Sequence, residues 1–579
     1  MKEKVVELIK KAVVACSLSD TQIKLEYPED PEHGDLSCNI ALVRAKELKV
    51  LPKELAEKIK AQLEKTKPDF IKEIQIAGPG FINFHLKDEC FIAVVGDILR
   101  QKESYGSNDA LKKQKTIIEF TDPNPFKEFH IGHLMSNTIG ESISRLVEAN
   151  GAEVKRACYQ GDVGLHVAKA IANFLDKEKD KDEADYLKEA DLNGLALGVD
   201  YVAGNRRYES EEGFKTYADE INRKLYERSD PKVNETYEAG KKKSLEYFDR
   251  LYEMLGTRFD YFFFESEVAG FGMKTVEENI GKVFEKSEGA VVFRAEKTNK
   301  RLHTRVFINS NGLPTYEAKE LGLAKIKYDR FSYEKSIVIT GNEINDYFKV
   351  LLAAMKLIFP DLAKKTLHIG HGMLRLPSGK MSSRTGKVIA AETLINDVKR
   401  MVLEKVKDRD YSKDEEERIS EIIAIGAIKY SILRQAIGGD IIFNFDKSIS
   451  FEGDSGPYLQ YAYVRARSVL EKAAENGSFK QGGTSEFKSP PGFKTGQVER
   501  LLERFPSIVE RAGKEYAPHL VVTYLTELAG AFNSWYAREQ IMDEKDPAGS
   551  VYKIGLTEAV SIVMKNGLDL LGIKVPEKM

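Results

Sequence analysis

The length of the chain and the balance of its charges limit the kinds of protein it can be. With 579 residues it is too long for one hydrophobic core, so about three or four domains are expected. Apolar residues make up 42% and charged residues 31%, which is typical of a folded globular protein and not of a disordered one. The net charge of −3 argues against a protein that coats nucleic acid by charge alone, although it leaves room for a local basic track.

The N-terminal segment and the cysteines favour a cytoplasmic protein. Val5, Ile9 and Val13 recur at helical spacing and are interrupted by lysines, a pattern that predicts an amphipathic helix and not a signal peptide. No apolar run approaches the roughly 18 residues that a membrane span requires. The four cysteines lie far apart and form no CxxC pair; they are Cys16, Cys38, Cys90 and Cys158. We therefore expect reduced thiols and no bound metal.

Residues 1–112 are predicted to form a small α+β domain. A helix is expected over 48–63, because its pattern is helical and Pro52 is suited to a first turn. Two strands are expected after it, at 73–76 and 81–86, joined by a Gly- and Pro-rich turn.

Residues 113–395 open with a strand–helix–strand pattern. A β-branched strand at 116–120 is followed by a loop, by a helix from about Gly132, and by a second strand at 154–159. Strand, helix and strand in this spacing predict a βαβ unit, and therefore a parallel sheet with a right-handed crossover.

A second strand–helix–strand pattern predicts the other half of the same sheet. Its elements are expected as a strand at 336–340, a helix at 347–358 and a strand or hairpin at 366–376. The domain is therefore interpreted as a doubly wound, Rossmann-type α/β domain, with the charge-rich stretch of about 165–300 inserted between its halves.

The sequence after Ala391 is almost wholly helical. We divide it into a helical junction, 396–455, and an all-helical domain, 456–579, which contains a polar loop at about 477–494. The expected fold class is thus an α/β Rossmann-type domain flanked by an N-terminal α+β domain and an all-helical C-terminal domain.

The strongest local motif is His130-Ile131-Gly132-His133, between the first strand and its helix. Open α/β sheets bind ligands at the carboxyl ends of their strands, and a helix N-terminus attracts phosphate. The two histidines could donate hydrogen bonds to a phosphate, and Gly132 would let a flat base approach the backbone. The alternative interpretation is that the histidines merely cap the helix.

A second motif is the glycine-bounded basic loop 379–387, which follows a predicted strand. Lys380, Arg384 and Lys387 could neutralise a leaving pyrophosphate, and Ser382 and Ser383 could hydrogen-bond to it. Taken alone, this loop is equally compatible with a solvated surface loop.

The tetrapeptide of the first motif occurs a second time, at 368–371. No amphipathic helix follows this second copy, so there is no helix N-terminus at which phosphate could bind. We interpret the second copy as chance within a strand.

Together the two motifs resemble the HIGH and KMSKS signatures of class I aminoacyl-tRNA synthetases. With Asn124 and Lys127 ahead of the first motif, and Gly161-Asp162-Val163-Gly164 after the second strand, the chain is similar to the arginyl-tRNA synthetases. The resemblance covers most of the chain. It implies that 1–112 binds the tRNA elbow and that 456–579 is a helical anticodon-binding domain.

The resemblance implies an ATP site. Its catalytic residues would be His130, His133, Lys127, Lys380, Ser382 and Arg384. Further contacts with ATP would come from Gly132, Met381 and Ser383. Ser383 stands where many synthetases have a second lysine, so either Lys127 or Arg384 is expected to supply the missing cation.

The resemblance also implies an arginine site. Its residues would be Glu119, Asn124, Asp162, His166, Tyr316 and Glu320. Tyr316 and Glu320 are four apart, on one helical face, although the family has Asp at the second place. A delocalised cation calls for a carboxylate that accepts paired hydrogen bonds.

Further contacts with tRNA are implied in both flanking domains. They are Phe81, Asn83, Tyr458, Gln460, Arg465 and Trp535, and for most of the C-terminal aromatic residues core packing is the alternative. The implied activity is arginine–tRNA ligation by a monomer that uses ATP with Mg²⁺, with L-arginine and tRNA(Arg) as partners and tRNA required even for activation.

Three alternatives stay open on the sequence. A different class I synthetase, such as the cysteinyl enzyme, shares the helical domain type. A small-molecule nucleotidylyltransferase uses a similar HxGH element but has no use for a long helical C-terminal domain. A tRNA-binding paralogue without activity would retain the fold, and only turnover would distinguish it.

Overall fold

The computed structural model describes residues 1–18, 23–28, 30–177, 194–376, 389–407, 409–475, 490 and 492–579. The chain forms two compact units. The first comprises 1–107, 461–509 and 524–567, and the second comprises 108–460, 510–523 and 568–579. None of the described helices is both long and apolar enough to cross a membrane.

The N-terminal part of the first unit is an antiparallel sheet covered by helices. The strands, in the order β1-β2-β4-β3, are β1 (Leu25–Glu26), β2 (Leu36–Cys38), β3 (Ile71–Ala77) and β4 (Phe81–Leu86). The helices are α1 (Lys2–Ala15), α2 (Ile40–Leu48), α3 (Pro52–Lys65) and α4 (Asp88–Gln101). The predicted helix 48–63 starts too early, because Leu48 ends α2 and Pro52 is the first residue of α3.

The second unit is built on a five-stranded parallel sheet. Its strands are β5 (Lys115–Glu119), β6 (Glu153–Gln160), β7 (Tyr261–Phe264), β11 (Lys335–Gly341) and β12 (Thr366–His371). The order is β12-β11-β5-β6-β7, so the chain runs outward from β5 in one direction and later returns to its other side. This reversal beside β5 is the point at which doubly wound sheets bind ligands.

The 165–300 stretch is not wholly an insertion, which corrects the sequence interpretation. Strand β7 lies inside it and pairs in parallel with β6, so one strand of the main sheet comes from this stretch. The helices ahead of β7 share a core of their own; they are α6 (Leu165–Lys177), α7 (Gly194–Ser210), α8 (Glu212–Glu227) and α9 (Pro231–Leu255).

A small antiparallel sheet follows β7 and leads back to the main sheet. Its strands are β8 (Glu285–Ser287), β9 (Ala290–Phe293) and β10 (Arg305–Ile308), and the flanking helices are α10 (Glu265–Glu278) and α11 (Tyr316–Arg330). Phe263, Val268, Leu321 and Val338 belong to one buried core that joins this layer to the parallel sheet.

The remaining elements are mainly helical, as the sequence predicts. In the second unit they are α5 (Ile131–Ala149), α12 (Asn345–Ile358), α13 (Pro360–Lys365), β13 (Leu374–Arg375), α14 (Ala391–Val406), α15 (Lys413–Leu433), β14 (Ile441–Ile442) and α16 (Phe445–Ser448). The C-terminal helices are α17 (Gly456–Glu475), α18 (Gln497–Glu515), α19 (Pro518–Tyr536) and α20 (Pro547–Leu570). Strand β13 pairs with β14 and does not form a hairpin with β12.

Candidate active site

The 130–133 turn begins helix α5 directly beyond β5. Nδ1 of His130 accepts from the backbone N–H groups of Gly132 and His133 at 3.1 and 3.4 Å, and Nδ1 of His133 accepts from the backbone N–H of His130 at 3.2 Å. The two rings stack with their centroids 3.6 Å apart. A Cβ atom at Gly132 would lie 2.9 Å from the His130 ring, so the turn requires glycine here.

Capping and ligand binding are compatible roles for these histidines. Because each Nδ1 accepts a backbone hydrogen bond, the ring proton of a neutral histidine resides on Nε2 and remains available as a donor. Burial, and after it the nearby Lys127, lowers the pKa of His130 to about 4. Burial and then His130 hold the pKa of His133 well below its usual range. Both rings are therefore neutral near pH 7.

The loop between β5 and α5 is held in an unusual backbone conformation. Thr121, Asp122 and Phe126 have φ angles of +79°, +48° and +66°, in the left-handed region that non-glycine residues rarely adopt. The backbone N–H of Phe126 donates to Ser244 Oγ at 3.0 Å, and the Asp122 carboxylate accepts from the backbone N–H of Tyr159 at 2.7 Å. These contacts fix the loop that carries the predicted site residues.

The chain returns to the 130–133 turn directly after the second motif. The backbone N–H of Ile131 donates to the carbonyl of Ile389 at 3.0 Å, and that of Ala391 donates to the carbonyl of Phe129 at 2.8 Å. Residues 377–388 lie outside the described part of the chain, and with them the predicted ATP contacts Lys380, Met381, Ser382, Ser383 and Arg384. The described residues thus bring the segment from Ile389 onward, which follows the second motif in the chain, to the first motif.

Lys127 lies close to the same turn and is half-buried. Its Nζ atom is 4.8 Å from the centroid of the Tyr201 ring, a cation–π distance. Burial lowers the pKa of its ammonium group, while the carboxylate of Glu265 opposes that shift.

A cluster of acidic side chains, which we call the acidic pocket, lies at the carboxyl end of β5. Glu119 is almost fully buried and accepts from Lys327 Nζ at 2.6 Å, and Glu265 pairs with Lys319 at the same distance. Glu320 has neither a hydrogen bond nor an ion pair within the part of the chain that the structure describes. Burial, and after it the Glu119 carboxylate, raises the pKa of Glu320 to about 8.

Two further groups border this pocket. Burial and then Glu119 raise the pKa of Asp122 well above its usual range, and Glu320 adds to the shift. The hydroxyl group of Tyr159 is buried, has no partner among the described residues, and interacts electrostatically with Glu265 and Glu320. The carboxyl groups of the pocket therefore outnumber the two lysines that pair with them. The Tyr159 hydroxyl is a further polar group there, without a partner among the described residues.

Tyr316 is the first residue of α11 and is largely exposed, at 60% of its surface. Glu320 is one turn further along the same helix, as the spacing predicts. The Lys319 ammonium is 5.4 Å from the Tyr316 ring.

Asp162 is fully buried, and both of its carboxylate oxygens are engaged. Oδ2 accepts from Tyr237, Lys241 and Ser266 at 2.7–2.8 Å, and Oδ1 accepts from the backbone N–H of Ser266 at 2.9 Å. This carboxylate holds its protein neighbours together, and its predicted contact with a substrate stays a prediction.

Asn124 and His166 both contact the glycine that precedes Asp162. Asn124 Oδ1 accepts from the backbone N–H of Gly161 at 2.8 Å, and His166 Nε2 lies 2.8 Å from the Gly161 carbonyl. The structure thus brings the predicted arginine-binding residues to one edge of the sheet.

The residues predicted to contact tRNA differ in exposure. Asn83 and Gln460 are buried, which corrects the expectation of direct contact: Asn83 accepts from Ser37 Oγ, and Gln460 donates to the carbonyl groups of Ile422 and Lys574. Phe81 is partly exposed and Tyr458 is half-buried.

Arg465 and Trp535 lie in the first unit and have different surroundings. The Arg465 guanidinium lies between the rings of Tyr461 and Tyr536, at 4.7 and 5.2 Å. Trp535 packs against a buried apolar cluster that includes Val469 and Ile554.

The second copy of the tetrapeptide lies in β12, as the sequence predicts. His368 stacks on Phe348 at 3.8 Å, and its Nε2 atom is 2.7 Å from Thr340 Oγ1.

Sequence reasoning missed several residues that border the site; they are Asp122, Tyr159, Tyr237, Lys241, Glu265, Lys319 and Lys327. For Lys327 a signal existed, because it lies seven residues after Glu320 and helical spacing puts both on one face of α11. The pairing of Glu265 with Lys319, 54 residues apart, has no local signal. Within the described residues, no group of three or more His, Cys, Asp or Glu side chains could hold a metal ion.

Three family models match successive parts of the chain. The catalytic-domain model of the tRNA synthetases class I (R) matches residues 94–445, more than half of the chain. The DALR anticodon binding domain model matches 459–579, and the arginyl tRNA synthetase N terminal domain model matches 1–86.

Relatives match over the full length. The arginine–tRNA ligase of Halothermothrix orenii is 29% identical over 583 residues, covering 100% of this chain and 99% of its own. The arginine–tRNA ligase of Lactobacillus delbrueckii subsp. bulgaricus is 30% identical over 589 residues, with 100% of both chains covered. Among solved structures, the arginyl-tRNA synthetase of Thermus thermophilus has the same fold, with a TM-score of 0.80 over 100% of both chains at 23% identity.

Proposed function

The chain belongs to the arginyl-tRNA synthetases of class I, and from that premise we propose that its acidic pocket binds the side chain of arginine while the 130–133 turn binds ATP. As a member of this family it is an arginine–tRNA ligase, whose substrates are L-arginine, ATP and tRNA. The match to an arginine-specific catalytic model together with an anticodon-binding model sets aside the cysteinyl and nucleotidylyltransferase alternatives.

The excess of carboxyl groups over lysines in the pocket is the observation that supports the arginine site: Glu119 and Glu265 are buried and paired with lysines, and Asp122 and Glu320 are half-buried. Because Glu320 is half-buried and has no partner among the described residues, its carboxyl group is favoured in the protonated form until a cation binds beside it. A guanidinium group stays charged at every accessible pH and can donate to two carboxylates at once. Glu119 and Asp122 border the same space, and the Tyr159 hydroxyl would be a further hydrogen-bonding group beside the bound guanidinium.

The 130–133 turn supports the ATP site. It offers two neutral Nε2–H donors and the N-terminus of a 19-residue helix, α5, whose dipole favours phosphate. Lys127 and the basic 380–384 loop are the candidate cations for the triphosphate, which enters as its magnesium complex. His130 and His133 need no proton transfer to act, because donation from Nε2–H suffices.

The proposed reaction proceeds in two steps without a nucleophilic side chain. The carboxylate of arginine attacks the α-phosphorus of ATP in line, and pyrophosphate leaves as arginyl-adenylate forms. A 3′-terminal ribose hydroxyl of tRNA then attacks the carbonyl carbon, and AMP leaves. Positioning and charge stabilisation supply the catalysis.

The contacts with tRNA are part of the same proposal. Phe81 in the first unit is an exposed ring on which an unpaired base can stack, and Arg465 between two tyrosine rings is a second such platform. We further propose that the protein acts as a monomer in the cytoplasm.

ATP–pyrophosphate exchange tests the proposal directly. The assay is run with each of the twenty amino acids and with citrulline, which has the shape of arginine but a neutral side chain, with and without total tRNA. We expect exchange with arginine alone, and only when tRNA is present. Equal exchange with citrulline would contradict the acidic pocket as the arginine site, and absence of exchange with arginine under all conditions would contradict the activity.

A further inference from the structure

Helix α9 (Pro231–Leu255) touches the candidate active site at three places along its length. Near its N-terminal end, Tyr237 and Lys241 donate to Asp162 Oδ2 at 2.8 and 2.7 Å. In its middle, Ser244 Oγ accepts from the backbone N–H of Phe126. One turn beyond, the Tyr247 hydroxyl donates to Glu392 Oε2 at 2.8 Å. One helix therefore contacts both the predicted arginine side and the predicted ATP side.

Tyr247 contacts the two segments that meet at the 130–133 turn. Glu392 is the second residue of α14 and follows the 389–391 segment, whose backbone pairs with Phe129 and Ile131. The backbone of Phe129 also acts electrostatically on the same Tyr247 hydroxyl. A single hydroxyl group thus bonds to Glu392, in the segment after the second motif, and lies near the backbone of Phe129, the residue ahead of the first motif.

The surroundings of Tyr247 keep its ring in place. The Phe248 ring lies 5.5 Å from the Tyr247 ring and 6.3 Å from that of Phe129, and Tyr252 packs edge-on against Phe129 at 6.4 Å. Loss of the hydroxyl group would therefore leave the ring in position and remove the polar link alone.

We propose that Tyr247 is a positioning residue for the ATP half of the site, holding Glu392 and the 389–391 segment against the 130–133 turn. Tyr237 and Lys241, on the same helix, brace Asp162 and so serve the arginine half. The inference rests on the proposed function of these two halves. By this inference helix α9 positions both halves of the site for the reaction, in addition to packing against them.

A crossed kinetic experiment tests this assignment. Pyrophosphate exchange is measured for Tyr247→Phe and Tyr237→Phe while ATP and arginine are varied separately at saturating tRNA. We expect Tyr247→Phe to lower kcat/KM for ATP by roughly tenfold, since the half-buried Glu392 carboxylate loses its donor, with KM for arginine changed less than about twofold. Tyr237→Phe is expected to show the reverse pattern.

Tyr208→Phe is the matched control. It also removes a hydroxyl-to-carboxylate hydrogen bond, from Tyr208 to Asp219 at 3.0 Å, in the same group of helices but away from the two motifs. Its kinetics should equal those of the wild type. Equal shifts in both KM values for Tyr247→Phe, or an effect no larger than that of Tyr208→Phe, would overturn the inference.

Glu392→Gln, alone and combined with Tyr247→Phe, provides the second measurement. If the two residues act through one hydrogen bond, the double variant should lose scarcely more than either single variant; additive losses would contradict the link. Failure of the wild-type protein to catalyse exchange with arginine would instead contradict the proposed function itself, so the two failures are distinguishable.

Discussion

Glu320 is the residue of the proposed arginine site whose protonation state is expected to change most when arginine binds. Its pKa is raised to about 8 by burial and then by Glu119, so the carboxyl group is largely protonated near pH 7 before arginine binds. A guanidinium in the pocket favours the ionised form, and binding therefore releases a proton. Below pH 8 the affinity for arginine should accordingly rise with pH, by up to about tenfold per unit, and level off above it.

Replacement of Glu320 by Gln tests this dependence. We expect the affinity for arginine to fall by roughly a hundredfold or more, since a buried cation loses its carboxylate, and the pH dependence between about 6 and 8 to disappear. Isothermal titration calorimetry with arginine at several pH values measures both. Glu278→Gln is the control, because Glu278 pairs with Lys274 on the exposed surface of α10. A slope retained in Glu320→Gln would contradict the assignment.

The histidines of the 130–133 turn are expected to act as neutral donors. His133→Ala should lower kcat of exchange by about 10²–10³, as removal of a preorganised donor does, while His133→Gln, which retains an amide donor, should lose less. Because the pKa of His130 is about 4 and that of His133 is also low, neither should produce an acid limb in kcat above pH 5. A limb near pH 6.5 that His133→Gln abolishes would contradict neutral donation.

At the scale of elements, the sequence could predict the helices and strands whose apolar residues recur at a regular short spacing. Helix α5 and its flanking strands β5 and β6 follow from an apolar face at helical spacing between β-branched runs. Strand β7 has four residues, Tyr261–Phe264, all aromatic and without alternation, and it follows some sixty residues of helix. No local pattern distinguishes it from the end of an insertion. Only its parallel pairing with β6 in the structure identifies it as a strand of the main sheet.

Helix α9 and the loop ahead of α5 meet at a position where the chain requires glycine. A Cβ atom at Gly240 would lie 2.4 Å from the Phe126 ring, so Gly240→Ala should displace the loop, destabilise the protein by about 1–3 kcal/mol, and lower kcat/KM of exchange. Gly270→Ala in α10 is the matched control, since nothing lies within 4 Å of its Cβ, and it should stabilise by roughly 0.5–1 kcal/mol.

Chemical denaturation and exchange kinetics measure the two effects separately. Activity of Gly240→Ala equal to that of Gly270→Ala would mean that the loop tolerates the shift and that α9 does not set its position.

At the scale of the whole molecule, the site is assembled from distant segments. Glu119 and Lys327 are 208 residues apart, and Tyr247 and Glu392 are 145 apart, so the pairs arise from the topology of the sheet and not from sequence spacing. Family motifs could predict the candidate substrate-binding residues, such as His130 and Glu320. They could not predict the partners that hold them, because any buried lysine or tyrosine of suitable reach could serve.

The first unit should influence the affinity for tRNA without altering the chemistry. Arg465 is held by Asn533 at 2.6 Å between the rings of Tyr461 and Tyr536, and Tyr536 is 38% exposed, which suits the stacking of an unpaired base. Tyr536→Ala should therefore raise KM for tRNA in aminoacylation by roughly ten- to a hundredfold, the value of one lost stack, and leave kcat at saturating tRNA within about twofold.

Trp535→Phe is the neighbouring control for that measurement. Trp535 packs against the buried cluster of Val469, Leu470 and Ile554, so its replacement should lower the melting temperature of the protein while KM for tRNA stays near that of the wild type. A larger effect on KM from Trp535→Phe than from Tyr536→Ala would reverse the assignment, because it would make the tryptophan the contact with tRNA. A fall in kcat for Tyr536→Ala at saturating tRNA would instead mean that this surface is coupled to the chemical step. If the surface only binds tRNA, a saturating concentration of tRNA compensates for the weaker binding.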